Sequence, residues 1–188
     1  MDVIRDVGML PDEQLVRDHL NGDSRAFEQL FDRYRAQVFQ FALRMLSNRA
    51  SAEEAFQEIF LRVYQKLDRY ESKQRFAAWL FTVAHHVCID ELRKFKRRRW
   101  LLFGEKFVEP MDPIDLEGEI SRNQMKERVA TCLERLEANQ KQVFLLRIHG
   151  NLLFREIAQM LNTPLNTILA RYHQAVIALK KSLQQENV

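Results

Sequence analysis

The chain has 188 residues, a formal net charge of +3, and only 5 glycines, 4 prolines and 2 cysteines. That length allows one domain or two small ones with modest cores, and apolar residues weighted toward Leu, Ala and Phe favour helix over strand. The small net charge leaves nucleic-acid binding to local clusters, and no apolar run reaches the length of a membrane span.

Pro11, Asp12 and Glu13 followed by Leu15, Val16 and Leu20 predict a short opening helix that Gly22 and Asp23 end. An amphipathic helix follows, with Phe27, Leu30, Phe31, Tyr34, Val38 and Phe41 on one face and an end near Ser47 to Arg49. Ser51 and Glu54 form a capping-box pair for the next helix, whose buried stripe is Ala55, Phe56, Ile59, Phe60, Val63, Tyr64 and Leu67. After a loop from Asp68 to Gln74, a third long helix turns Phe76, Trp79, Leu80, Val83 and Val87 inward and runs into the basic stretch Arg93 to Arg99. Trp100 to Glu119 then carries six acidic residues, one lysine, two prolines and two glycines, and reads as a linker. Helical periodicity resumes near Ser121, where Ser121 and Gln124 can cap. Val129, Cys132, Leu133 and Leu136 line one helix, and Val143, Phe144 and Leu146 lie on the next, which Gly150 stops. The fold class expected is all-α: two small helical domains, 8–99 and 121–188, joined by an irregular acidic linker, 100–120.

Cys88 and Cys132 are far apart, have no metal-ligand spacing and fall on apolar helix faces, so buried reduced thiols are expected. Met1 to Asp6 lacks the basic start and apolar run of a signal peptide. A reducing cytoplasm is the expected location, without membrane insertion. No Gly-rich phosphate loop, spaced metal ligands or nucleophile elbow is present, so neither enzyme activity nor a cofactor is expected.

The segment Arg155 to Ile168 has the spacing of a helix-turn-helix. Ala158 is small enough for a close crossing, and Asn162 tolerates the positive φ the turn needs. Thr163 can cap the second helix, and Pro164 suits its first turn. Ile168, Tyr172, Ala175, Val176 and Leu179 are the predicted inward set. Asn166, Thr167, Ala170, Arg171, His173 and Gln174 are the outward set, with groups suited to a DNA groove. An ordinary helical hairpin is the plain alternative.

Four ordered stretches together resemble the extracytoplasmic-function sigma factors of the sigma-70 family. They are Gly22-Asp23 with Ala26-Phe27 and Leu30-Phe31; Ala52 to Leu61, like region 2.2; Phe76 to Phe81 with Ile89 to Arg93, like regions 2.3 and 2.4; and Leu136 to Leu179, like region 4. The resemblance implies a subunit that directs RNA polymerase to promoters. It implies that Glu54, Gln57, Glu58 and Phe60 dock on the clamp helices of the largest core subunit. Tyr70, Lys73, Arg75, His86, Asp90, Arg93, Lys94 and Arg97 would serve the minus-10 element, where a loop captures a flipped base. Arg155, Asn166, Thr167, Ala170, Arg171 and Gln174 would serve the minus-35 element. The linker would thread the polymerase channel, and an anti-sigma factor would regulate the whole. The alternative function is a stand-alone helix-turn-helix regulator of transcription.

The chain departs from the family pattern at several positions. His85-His86 replaces Arg-Asn, Leu136-Glu137 replaces Leu-Pro, and Leu153 stands in place of a capping Ser, a loss worth about 1 kcal/mol if nothing else caps the helix. Leu169 and Gln174 take two positions that are basic in the family, which weakens the phosphate grip expected of the recognition helix. The basic run Arg93 to Arg99 suits phosphates; a solvated helix end or a membrane-surface helix are its other readings.

Overall fold

The computed structural model describes residues 10–71, 75–103 and 122–185, with side chains described up to Leu101 and again from Arg128 to Gln184. The described residues form eight α-helices and no strand. These are α1 (Asp12–Leu20), α2 (Ser24–Leu46), α3 (Arg49–Lys66), α4 (Phe76–Phe103), α5 (Arg122–Glu134), α6 (Ala138–His149), α7 (Phe154–Met160) and α8 (Leu165–Gln185), with a 3-10 turn at Leu67–Arg69. The expected all-α class, with a region on either side of a linker, is what the chain adopts.

Local chemistry sets the helix ends. Gly22, at φ +101°, turns the chain after α1, and the Asp23 carboxylate accepts from the Arg25 amide at 2.9 Å to cap α2. Ser47 takes φ 51° at the end of α2. The cap of α3 is Asn48, whose Oδ1 accepts from the Ser51 amide at 2.8 Å. The helix therefore starts two residues before the predicted Ser51 cap, because Asn48 caps it by accepting from the Ser51 amide itself. Helix α6 ends at His149 with Gly150 as its C-cap, as expected, though at φ −82°; Asn151 takes the left-handed position at φ 47°. Gly150 is required for space, since a Cβ there would lie 2.7 Å from the Leu146 carbonyl oxygen and 3.1 Å from the Phe81 ring.

The first half packs α2, α3 and α4 around aromatic rings. Phe41 and Phe81 meet at 5.4 Å, and Phe31 and Phe60 at 4.7 Å, both edge to face. Asp12 ties α1 to α2 through Arg33 and through the Tyr34 hydroxyl, which donates at 2.5 Å. Burial and this hydrogen bond push the Tyr34 phenol well above its ordinary range. Tyr64 was predicted to be buried but is 55% exposed; its ring edge meets Phe27 at 5.1 Å while the rest faces outward. The basic helix also runs further than expected: α4 continues through Phe103, past the predicted linker start at Trp100. The Ser121 cap and the rest of the linker lie outside the described residues.

The second half stacks α5 to α8 on Val143, Leu145, Leu146, Leu152, Ile157, Ile168 and Ala175. Cys88 and Cys132 are buried thiols outside any disulfide, and burial pushes the Cys88 thiol up to about 12. The expected picture of two separate bodies meets a difference here, because α6 packs against α2 and one contiguous core runs through both halves. Polar contacts among the described residues stitch this seam. Arg75 Nε lies 3.0 Å from Glu156 Oε1, and Arg75 Nη2 donates to the Asn151 carbonyl at 3.0 Å. His85 Nε2 and Gln142 Oε1 are 3.0 Å apart, and Lys141 Nζ donates to Ser47 Oγ at 3.1 Å. Helix α4 is thus buried on two faces, with Phe81, Ala84 and Cys88 adding to the predicted stripe.

Candidate polymerase and DNA interfaces

The face of α3 predicted to meet polymerase is partly open. Glu54 and Gln57 are exposed, and Glu58 is half-buried with Arg62 Nε 2.6 Å from its Oε1. Phe60 is 8% exposed and packed on Phe31 and Phe56, as its place in the predicted buried stripe implies, so it lies beneath this face. The sequence reading missed Leu61 and Tyr64, both more than half exposed. Glu54, Gln57, Leu61 and Tyr64 fall at i, i+3, i+7 and i+10, one line along the helix with an acidic start and an apolar end. Exposure of large apolar groups at helical spacing was the available signal, but periodicity cannot separate it from core.

The minus-10 candidates spread over the loop before α4 and one line of α4 itself. Tyr70 packs edge to face on Phe76 at 5.7 Å and near Trp79 at 5.5 Å; burial pushes its phenol up to about 12, with the charges of Glu13 and Asp12 adding. Lys73 lies outside the described residues. Arg75 is held across the seam by Glu156 and Asn151. On α4, His86, Asp90, Arg93 and Arg97 fall at i, i+4, i+7 and i+11, a continuous stripe. Asp90 lies 3.8 Å from Arg62 and 3.6 Å from Arg93, so the acid anchors the stripe to α3. Lys94 pairs with Glu91 at 2.6 Å beside it. The two histidines diverge as adjacent helical residues must: His86 is exposed, whereas His85 is buried against Gln142. Burial lowers the His85 pKa, opposed by that hydrogen bond and reinforced by His86. The described residues contain no cluster of acids, histidines or cysteines able to hold a metal ion.

The helix-turn-helix forms as its residues predict. Asn162 takes φ 45°, and the turn closes with Asn162 N donating to the Gln159 carbonyl at 3.2 Å and Thr163 N to Ala158 at 3.0 Å. The missing side-chain cap at Leu153 is offset by Glu156, whose Oε2 accepts from the Leu153 amide at 2.7 Å. Thr163 does not act as the predicted cap: its hydroxyl donates back to the Leu161 carbonyl at 3.0 Å, while the Pro164 carbonyl accepts from Thr167 and Ile168. Ile168, Ala175 and Leu179 face the core, and Tyr172 stacks on Phe144. Asn166, Ala170, His173 and Gln174 are exposed, Thr167 and Arg171 half-buried, and Arg155 is exposed on α7. Gln140 Nε2 donates to Gln174 Oε1 at 3.4 Å. Packing against the first half therefore leaves the predicted recognition face open.

This geometry defines a helical protein with a helix-turn-helix in its second half and a basic helical stripe in its first. Residues 30–99 match the family described as Sigma-70 region 2, and residues 126–179 match Sigma-70, region 4. The chain is 30% identical over 172 residues to the ECF RNA polymerase sigma factor SigK of Mycobacterium ulcerans, covering 90% of this chain and 91% of that one. It is 28% identical over 171 residues to SigW of Bacillus subtilis, covering 87% and 91%. Its fold is similar to that of the sigma factor RpoE, solved with the anti-sigma factor NepR from Bartonella quintana (TM-score 0.69, 22% identity, 84% of this chain and 96% of that one). It is also similar to CnrH, solved with the cytosolic domain of CnrY (TM-score 0.68, 21% identity, 93% and 97%). The chain belongs to the extracytoplasmic-function sigma factors. It is a transcription initiation factor that serves RNA polymerase and binds DNA, and not an enzyme. The two matched regions displace the stand-alone regulator. No described helix is long and apolar enough to cross a membrane.

Proposed function

We propose that the three exposed faces divide the work of this sigma factor. The α3 line of Glu54, Gln57, Leu61 and Tyr64 docks on the clamp helices of the polymerase, with Glu58 at its edge and Phe60 supporting it from below. The loop from Tyr70 to Arg75 and the α4 stripe of His86, Asp90, Arg93, Lys94 and Arg97 hold the melted minus-10 strand. Guanidinium and ammonium groups on one helix line release counterions as they meet phosphates. Arg155, Asn166, Thr167, Ala170, Arg171 and Gln174 read the minus-35 duplex in its major groove. The first domain spans 8–99 with α4 continuing to Phe103, and the second spans 121–188. The site of action is the cytoplasm, where the polymerase works, and an anti-sigma factor, as in the solved RpoE complex, holds the chain until it is needed.

The observation that carries this reading is the open face of α8 on a helix-turn-helix whose turn and core are fully formed. Run-off transcription with core polymerase and genomic promoter fragments tests it. Arg171→Ala is expected to lower promoter use by tenfold or so while core binding holds, the scale of one lost base contact. The double change Gln57→Ala with Glu58→Ala is expected to weaken core binding and leave DNA contacts intact. Equal loss of both activities in each variant would refute the division of labour.

A further inference from the structure

The leading turns of α8 carry two kinds of surface. Asn166, Thr167, Arg171 and Gln174 offer hydrogen-bonding groups, whereas Leu165 and Leu169 offer none. Leu165 is 44% exposed and Leu169 is 41% exposed, one helical turn apart. Neither belongs to the contiguous core that takes Ile168, Tyr172, Ala175 and Leu179 from the same helix. Isolated surface leucines are ordinary. These two stand on the part of a recognition helix that enters the major groove first, so docking strips water from whatever they meet.

That constraint selects the base edge. A leucine against guanine, adenine or cytosine would desolvate donors and acceptors and return no hydrogen bond. The C5-methyl of thymine is the apolar group on the major-groove edges. We infer that Leu169 is a specificity-determining residue that packs on thymine methyl groups of the minus-35 duplex, with Leu165 extending the apolar contact. Asn166 and His173, at i−3 and i+4 from Leu169, are exposed neighbours on the same helix and bring no fixed charge to this contact. The full positive charges near the leading turns of α8, Arg171 on α8 and Arg155 on α7, supply the polar and phosphate contacts. Selectivity here comes from shape and apolar burial rather than from an ammonium group gripping phosphate. This inference rests on α8 being the minus-35 reader.

The test uses promoter duplexes randomised across the minus-35 window, transcribed by core polymerase carrying this chain, with the used templates sequenced. The best duplex is rebuilt with deoxyuridine in place of each thymine in turn, which removes only the methyl group. At one or two positions promoter use is expected to fall about fourfold per methyl removed, the factor for one buried carbon. Leu169→Ala is expected to lower use of the thymine duplex by a similar factor and to make thymine and uracil equivalent at those positions. An unchanged melting temperature would show that this exposed site was not needed for folding. Equal use of both duplexes by the unaltered chain, or a full methyl preference surviving in Leu169→Ala, would overturn the inference. No core-dependent start from any template would instead overturn the assignment of α8 itself, a result that cannot be confused with methyl-blind reading.

Discussion

Within α1 to α4 the interior is largely aromatic, with Phe41, Phe76 and Phe81 fully buried. Where α6 meets α2 and α4, burial falls instead on ionisable groups: Arg44, His85, Lys141 and His149. Burial lowers the pKa of both Arg44 and Lys141, and the charge of Glu134 only partly restores it. Burial also pushes His149 down to about 4, and Arg44 adds to that push. Among the described residues, Arg44 Nη1 and His85 Nδ1 are buried at the seam without a hydrogen-bond partner, as are His19 Nδ1 and Arg33 Nε in α1 and α2. Apolar burial gains roughly 25 cal/mol per Å², whereas a buried charge costs free energy unless it is paired and fully hydrogen-bonded. The first-half core and the seam are therefore different kinds of joint. Opening the core exposes rings to water; opening the seam returns cations to it. The seam is expected to part before the first-half core, which amide exchange along α6 and α4 would check.

The contrast can be broken at the core with the largest effect. Phe41→Ala should destabilise the chain by about 3–5 kcal/mol, read as a lower midpoint of urea unfolding. At the seam, Gly150→Ala forces a methyl against the Leu146 carbonyl and the Phe81 ring, and should cost about 1–3 kcal/mol. Its signature should be a wider separation of labels on α2 and α7 before global unfolding begins.

Acid sharpens the comparison. The folded chain holds His149 neutral down to about pH 4, while the unfolded chain takes up that proton near 6.5. Its contribution to stability is complete above pH 6.5 and is lost as pH falls from there through 4. His85 acts in the same direction. The charged neighbours are Arg44 on α2 and, around the cleft that His149 lines, Asp12, Glu13, Arg33 and Arg75. Urea midpoints at pH 7.5 and pH 5 should differ less in His149→Gln than in the unaltered chain. An equal pH dependence in both would remove His149 as a cause. The smallest effect belongs to Glu156→Gln, which keeps the Leu153 cap because glutamine can accept the same amide but removes the charge facing Arg75. A partly exposed pair of this kind is worth about 1 kcal/mol or less, so inter-label distance should respond more clearly than stability.

Much of the fold was legible because its signals are local. Gly22, Asp23 and Asn162 each mark an end or a turn through backbone preference, and the stripes of α2 and α8 follow helical period. What was not legible depended on which apolar face meets which. Tyr64 and Phe60 look alike at helical spacing, yet one faces outward and the other packs inward on Phe31 and Phe56. Phe81 lies on a second face of α4 that meets Phe41 of α2 and, near Gly150, the turn after α6, so its burial depends on partners distant in sequence. Gly150 read correctly as a helix stop, but its second reason, the crowding of Phe81, lies in a residue distant in sequence. Among the site residues, the α8 face and the α4 stripe could be read from spacing. The engagement of Arg75 by Glu156 could not, since nothing in either segment names the other.

That engagement has a consequence for any measured affinity. A guanidinium already satisfied by a carboxylate and a carbonyl must trade both for a phosphate, so DNA competes with the chain's own α7 for one side chain. If the open arrangement were populated one time in a hundred, binding through Arg75 would look about a hundredfold weaker than its intrinsic strength. A polymerase surface that holds the two halves apart would restore that factor without touching DNA at all.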